Sequence, residues 1–188
     1  MKIKICGITN LADAEAAVLY GADALGFIFA EKSPRFIQRE KVKEIVASLP
    51  PFVIPVGVFT EGSRDEIKEA VDLCGLYLIQ FHGRFPKETV EAFSERAIAV
   101  VSVRNQSDLM NERALDSARS LSVRATLLDS FNEEMGGGGG SGIPFNWEFA
   151  VLAKKWGKII LSGGLTPENV KEAIEQVAPY AVDVCSGV

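Results

Sequence analysis

Histidine is nearly missing from this chain. His82 stands alone, so a histidine-built metal centre and a two-histidine proton relay are excluded by count. Cysteine is scarce too: Cys6, Cys74 and Cys185 are odd in number, far apart and free of any Cys-x-x-Cys pair. That argues against both a disulfide framework and a zinc site. Basic charge is not in excess either. The formal net charge is −5, whereas a nucleic-acid partner needs a basic face, so any anion recognised must be a small one held locally. No apolar run reaches the length of a bilayer span, and the start, Met1-Lys2-Ile3-Lys4-Ile5, lacks a signal-peptide pattern. A soluble cytoplasmic protein with no membrane partner is expected.

What the sequence does have is alternation. Its 188 residues, 47% of them hydrophobic, suffice for one substantial core and are few for two, so a single domain over residues 1–188 is expected. Short apolar runs read as strands at Lys2–Cys6, Ala24–Ile28, Ile54–Phe59, Leu76–Gln80, Ala97–Val103, Ala125–Asp129, Lys158–Leu161 and Ala181–Val184. Segments of helical period separate them: Leu11–Tyr20, Arg39–Ser48, Arg64–Leu73, Lys87–Phe93, Leu109–Arg119, Trp147–Lys155 and Pro167–Val177. Mostly apolar strands alternating with helices predict a parallel sheet covered by helices, and eight of them predict a closed (β/α)₈ barrel, with an open doubly wound sheet as the rival. The eighth strand runs into Ser186-Gly187-Val188 with no eighth helix after it, an expected gap in the helical cover.

Glycine is concentrated where barrels do their chemistry. Lys158–Leu161 leads into Ser162-Gly163-Gly164, where backbone N–H groups can approach an anion, and Thr166-Pro167 reads as an N-cap and first helical residue. A second small-residue loop, Cys185-Ser186-Gly187, follows the eighth strand. Glycine loops after strands seven and eight form the usual phosphate site of such barrels. The low-complexity stretch Gly136–Gly140, extended by Ser141-Gly142, lies after the sixth strand and reads as a functional loop.

Two side chains at strand ends are candidates for acid–base chemistry. Cys6 closes the first strand, and alternation sets it with Lys4 on one face, opposite Ile3 and Ile5. Asp129 closes Leu127-Leu128-Asp129; a carboxylate is costly to bury unless paired, so this placement is informative. The first and sixth strands of an eight-stranded barrel are nearly opposite, so the two could flank a substrate, one withdrawing a proton and the other donating one. Arg35, after Ser33-Pro34, could offer its fork to a carboxylate. His82 ends the fourth strand and is a candidate substrate contact, although a lone histidine is commonly structural. Lys4 and Asp183 are expected to pair inside the barrel. Cys74 and Cys185 are read as packing residues.

Together these pieces resemble phosphoribosylanthranilate isomerase of tryptophan biosynthesis. The resemblance rests on Lys4-Ile5-Cys6-Gly7-Ile8-Thr9, Gly21 to Phe27, Lys32-Ser33-Pro34-Arg35, Pro55 to Phe59, Gln80-Phe81-His82-Gly83, Leu128-Asp129, Leu161-Ser162-Gly163-Gly164-Leu165 and Asp183 to Val188. It implies an Amadori rearrangement of N-(5-phosphoribosyl)anthranilate without cofactor or metal, by a monomer or homodimer acting on a small phosphosugar. It further implies that Asp129 is the general acid at the ribose ring oxygen and Cys6 the general base at C2′. Arg35 would then orient the anthranilate carboxylate, and the backbone of Gly163, Gly164, Ser186 and Gly187 would hold the phosphate. The family's loop usually carries a lysine and an aspartate that are absent around Ser141 to Trp147, and Phe81 and Cys185 replace the usual leucine and serine. The alternatives are a phosphosugar-binding barrel with weak or no turnover and a histidine-pathway aldose–ketose isomerase. The latter pairs two aspartates, and Cys6 stands where one would be.

Overall fold

A computed structural model describes residues 1–110, 123–130 and 144–187. Its eight parallel strands are β1 Lys2–Cys6, β2 Ala24–Ile28, β3 Ile54–Phe59, β4 Leu78–Phe81, β5 Ala97–Val103, β6 Ala125–Ser130, β7 Ile159–Leu161 and β8 Ala181–Val184. They close in sequence order, each paired with the next and β8 with β1. Closure excludes the open doubly wound sheet. The described helices are α1 Leu11–Leu19, α2 Arg39–Ser48, α3 Arg64–Cys74, α4 Lys87–Glu91, α5 Gln106–Met110, α6 Glu148–Ala153 and α7 Val170–Val177. Among the described residues no helix follows β8, and no helix is long and apolar enough to cross a membrane.

Local signals account for most of the boundaries. Asn10 caps α1 by accepting from Asp13 N at 2.9 Å. Ser63 and Glu66 form a reciprocal capping box at α3, which Gly75 ends in the left-handed conformation with φ 67°. Three expected elements move. β4 begins at Leu78 because the N–H of Leu76 still closes the end of α3 on Val71 O. α5 starts at Gln106, ahead of the expected Leu109, because Asn105 Oδ1 accepts from Ser107 N at 2.9 Å in the manner of a cap; residues 111–119, the rest of that expected helix, lie outside the described residues. Thr166 and Pro167 do not open α7. The Asn169 side chain accepts from Thr166 N and donates to Gly164 O at 2.9 and 2.8 Å, which holds this stretch as a turn until Val170.

The period of two along the strands divides the core. Alternate residues, among them Val56, Ile98, Leu127, Ile160 and Ala181, meet inside the barrel. The residues between them, such as Leu25, Phe27, Ile79, Leu128 and Leu161, pack outward against buried helix residues that include Ala14, Val42, Ile67, Ala150 and Ala173. Each fully buried Leu, Ile or Phe contributes about 1.5–3 kcal/mol, so this double layer supplies a large share of what stabilises the closed barrel. Its rigid strand ends position the site.

Candidate active site

Two positions above Leu127, and two above Ala181, the inward period reaches Asp129 and Asp183; from β1 it brings Lys4 and Cys6. Polar groups therefore replace hydrocarbon towards the C-terminal end of the barrel. Lys4 Nζ donates to Asp183 Oδ1 at 2.7 Å, with only 4% and 5% of the two side chains exposed, so the expected interior pair is present. Burial would discharge Lys4, but the Asp183 carboxylate and the nearby Cys6 sulfur outweigh it and hold the ammonium above its ordinary range. A fixed positive charge thus sits directly beneath Cys6.

Asp129 is 6% exposed. Burial first, and the charge of Asp183 second, push its carboxyl up to about 7, against the opposing pull of the Ser130 N–H and of Lys4. Oδ1 accepts from that N–H at 2.8 Å. The carboxyl therefore keeps a proton near neutrality, as a general acid must. His82 Nε2 lies 3.9 Å from Asp129 Oδ2, beyond hydrogen-bond reach. Burial lowers the pKa of His82, so it stands beside the acid as a neutral ring.

The glycine loops meet this acid from the side. Gly163 has φ 84°, and a Cβ there would strike Ser130 N and come within 2.9 Å of Asp129 Oδ1. Only glycine allows the β7 loop to lie against the acid. A Cβ on Gly187 would likewise strike Leu165 O, so the loops after β7 and β8 touch. The N–H groups of Gly163, Gly164, Ser186 and Gly187 have no acceptor among the described residues, and clustered free donors of this kind suit a phosphate. The helix expected to aim its N-terminus at this loop starts a turn further on, so these backbone donors are what the loops offer to an anion.

Arg35 reaches the rim above β1. Its N–H bonds Ser33 Oγ at 3.2 Å, and its side chain crosses over Gly7, where a Cβ would lie 2.5 Å from Arg35 Cδ. No carboxylate among the described residues pairs with it. The structure thus gathers Cys6, Arg35, His82, Asp129 and the two glycine loops at one barrel mouth. Residues 131–143, which include the Gly136–Gly140 stretch, lie outside the described residues.

Sequence reading missed two participants. Gly26 pairs with Cys6 across β1 and β2, and a Cβ on it would lie 2.6 Å from the Cys6 sulfur. A glycine inside an apolar strand was the available signal. Cys185, read as a packing residue, is half-buried beside the site: its sulfur would lie 3.1 Å from a Cβ on Gly7, next to the Arg35 side chain. Among the described residues no group of three or more His, Cys, Asp and Glu side chains converges as a metal site would.

Comparison with known proteins agrees with this geometry. The family model described as N-(5'phosphoribosyl)anthranilate (PRA) isomerase matches residues 3–188. The N-(5'-phosphoribosyl)anthranilate isomerase of Geotalea daltonii is 46% identical over 187 residues, covering 100% of this chain and 86% of the relative. The crystal structure of phosphoribosyl anthranilate isomerase from Thermotoga maritima superposes with a TM-score of 0.89 at 42% identity, over 100% of this chain and 89% of that one. A further structure, of such an isomerase in complex with reduced 1-(o-carboxyphenylamino)-1-deoxyribulose 5-phosphate, gives 0.85 at 40% identity over 100% and 88% of the two chains.

Proposed function

Because the chain belongs to the N-(5'-phosphoribosyl)anthranilate isomerase family, we propose that Asp129 and Cys6 are the acid and base of its Amadori rearrangement. The protein is an isomerase of tryptophan biosynthesis. It converts N-(5-phosphoribosyl)anthranilate into 1-(2-carboxyphenylamino)-1-deoxyribulose 5-phosphate.

The substrate phosphate binds the N–H groups of Gly163, Gly164, Ser186 and Gly187. That places the ribose between β6 and β1, and Arg35 takes the anthranilate carboxylate in a two-pronged contact. Asp129 gives its proton to the ribose ring oxygen, opening the ring to a Schiff base. The Cys6 thiolate then removes the proton from C2′, and Lys4 beneath it offsets the charge of the thiolate. His82, held neutral, lines the pocket next to the acid and contacts the sugar. The observation that carries this reading is a carboxyl poised near neutrality against the phosphate loop, on the far wall of the barrel from a thiol over a buried ammonium. We further assign the chain to the cytoplasm, as one domain working as a monomer or homodimer.

The test is turnover of freshly made phosphoribosylanthranilate, followed by loss of its fluorescence, in the parent chain and in Cys6→Ser and Asp129→Asn. Collapse in both variants supports the assignment. Undiminished turnover in either one removes that residue from its role, and binding of a reduced product analogue without any turnover would mark a phosphosugar-binding barrel.

A further inference from the structure

Among the described residues three buried side-chain atoms have no hydrogen-bond partner: the indole N–H groups of Trp147 and Trp156, and Gln80 Oε1. The two tryptophans flank α6 on the outside of the sheet. Gln80 stands inside the barrel. It is 2% exposed, and the period of two along β4 turns it inward with Leu78 below and His82 above. Its partners in register, Val58 on β3 and Ile98 on β5, are hydrocarbon. The inward residues of such a barrel stack in layers of four drawn from alternate strands, and the register sets Gln80 in one layer with Gly26, Leu127 and Asp183. Leu127 is the last hydrocarbon on the inner face of β6 before Asp129. Asp183 accepts from Lys4 Nζ at 2.7 Å. Gly26 brings no side chain, and a Cβ there would lie 2.6 Å from the Cys6 sulfur. This layer is therefore the floor of the site, directly beneath the acid and the thiol.

We infer that Gln80 is a substrate-binding residue: its side-chain carbonyl accepts a hydrogen bond from the C3′ hydroxyl of the sugar, which points down the barrel. The inference rests on the reaction proposed above and deepens it. A buried carbonyl without a donor destabilises the fold, whereas an apolar side chain of the same shape would not, so an amide here serves no packing purpose. Nothing beside it can supply the donor: Val58, Ile98 and Leu127 have none to give, and Lys4 already donates to Asp183. A bound sugar can. With the phosphate on the loops after β7 and β8 and the anthranilate carboxylate on Arg35 above β1, the sugar carbons between them cross this floor. The ring oxygen belongs to Asp129. The C2′ oxygen becomes a carbonyl, itself an acceptor, in the product. The C3′ hydroxyl is the donor that persists from substrate to product. A neutral amide can hold it without adding a charge next to the Asp129 and Asp183 carboxyls.

The experiment measures, by calorimetry, binding of the reduced product analogue and of its 3′-deoxy form to the parent chain and to Gln80→Met, with thermal midpoints and steady-state kinetics beside it. Methionine keeps the length of the side chain and removes the acceptor; if that form does not fold, Gln80→Leu replaces it. Gln80→Met should melt at or above the parent, raise KM and the Kd of the analogue about tenfold, and leave kcat within about threefold, because the hydroxyl is held alike in ground and transition states. The 3′-deoxy form should bind the parent about tenfold more weakly than the full analogue, and should bind Gln80→Met as well as the full analogue does. Unchanged KM and Kd in the variant would overturn the inference, and so would a 3′-deoxy penalty equally large in the variant and the parent. A folded parent that neither binds the analogue nor turns over substrate would instead overturn the proposed reaction, and the role of Gln80 with it, so the two failures are distinguishable.

Discussion

Halfway along its strands the inside of the barrel is hydrocarbon, built from Val56, Ile98, Leu127 and Ile160. One inward step further on it holds Lys4, Gln80, Asp129 and Asp183, all buried. The two levels share strands, backbone hydrogen bonds and nearly the same exclusion of water, yet they do opposite work. Below, burial of apolar surface stabilises the fold. Above, burial works against charge, and what it gives is chemistry: a carboxyl moved up to about 7 and a lysine held charged by its carboxylate partner. Gln80 Oε1 shows the same cost, with no partner among the described residues. The lesson is that stability and reactivity are separated along the barrel axis over a single step of the strand period.

The comparison is sharpened most by changes in the upper level that should abolish catalysis without loosening the fold. Asp129→Asn and Cys6→Ser should each lower kcat by about 10²- to 10⁴-fold, while their thermal midpoints stay at or above that of the parent chain in calorimetry.

Next comes the buried pair. Lys4→Met alone should cost about 3–5 kcal/mol in urea titrations, because it strands the Asp183 charge; adding Asp183→Leu should recover most of the loss. A single-variant cost no larger than that of an exposed pair such as Lys171–Glu175, worth about 0–1 kcal/mol, would break the distinction between the levels.

Smaller is the pH dependence of stability. The folded-state value of Asp129 is raised, from 3.8 to about 7. Its contribution to stability is therefore complete below about pH 4 and is lost as pH rises through about 7. Asp129→Asn removes this loss, so the variant should gain on the parent between pH 4 and pH 8, by about 2–4 kcal/mol at most. Denaturation curves at four or five pH values would show it. Half-buried carboxylates with lowered values, Asp23 and Asp108, slope the other way and are common to both proteins, so they cancel.

The smallest effect belongs to the lower level. Ile160→Val should cost about 0.5–1.5 kcal/mol and leave kcat within about twofold. A larger loss of kcat than of stability would show that the two levels are coupled.

Most of the barrel was legible because strand alternation and helix caps are local. β1, β2, β3, β5 and β8 begin and end where apolar runs do. Cys6 and Asp129 were legible for a related reason, since a strand end in a barrel is already a place in the site. What was hidden depended on contacts across the chain. The start of α7 is set by Asn169 reaching back to Gly164, a side-chain clamp that no propensity for Thr166 or Pro167 reveals. Cys185 passed as a packing residue because its place beside Gly7 and Arg35 depends on the ring closing with β8 on β1. The raised value of Asp129 needs the neighbouring Asp183 charge as well as depth, and neither distance nor depth is written in sequence order.

The central claim, that burial arms Asp129 as an acid, is tested most directly by following its carboxyl carbon by NMR in ¹³C-aspartate-labelled protein from pH 4 to 9, with Asp129→Asn identifying the signal. The account predicts a midpoint at about 7, matched by the pH at which kcat falls. A midpoint near the ordinary ~3.9 of an aspartate would contradict it.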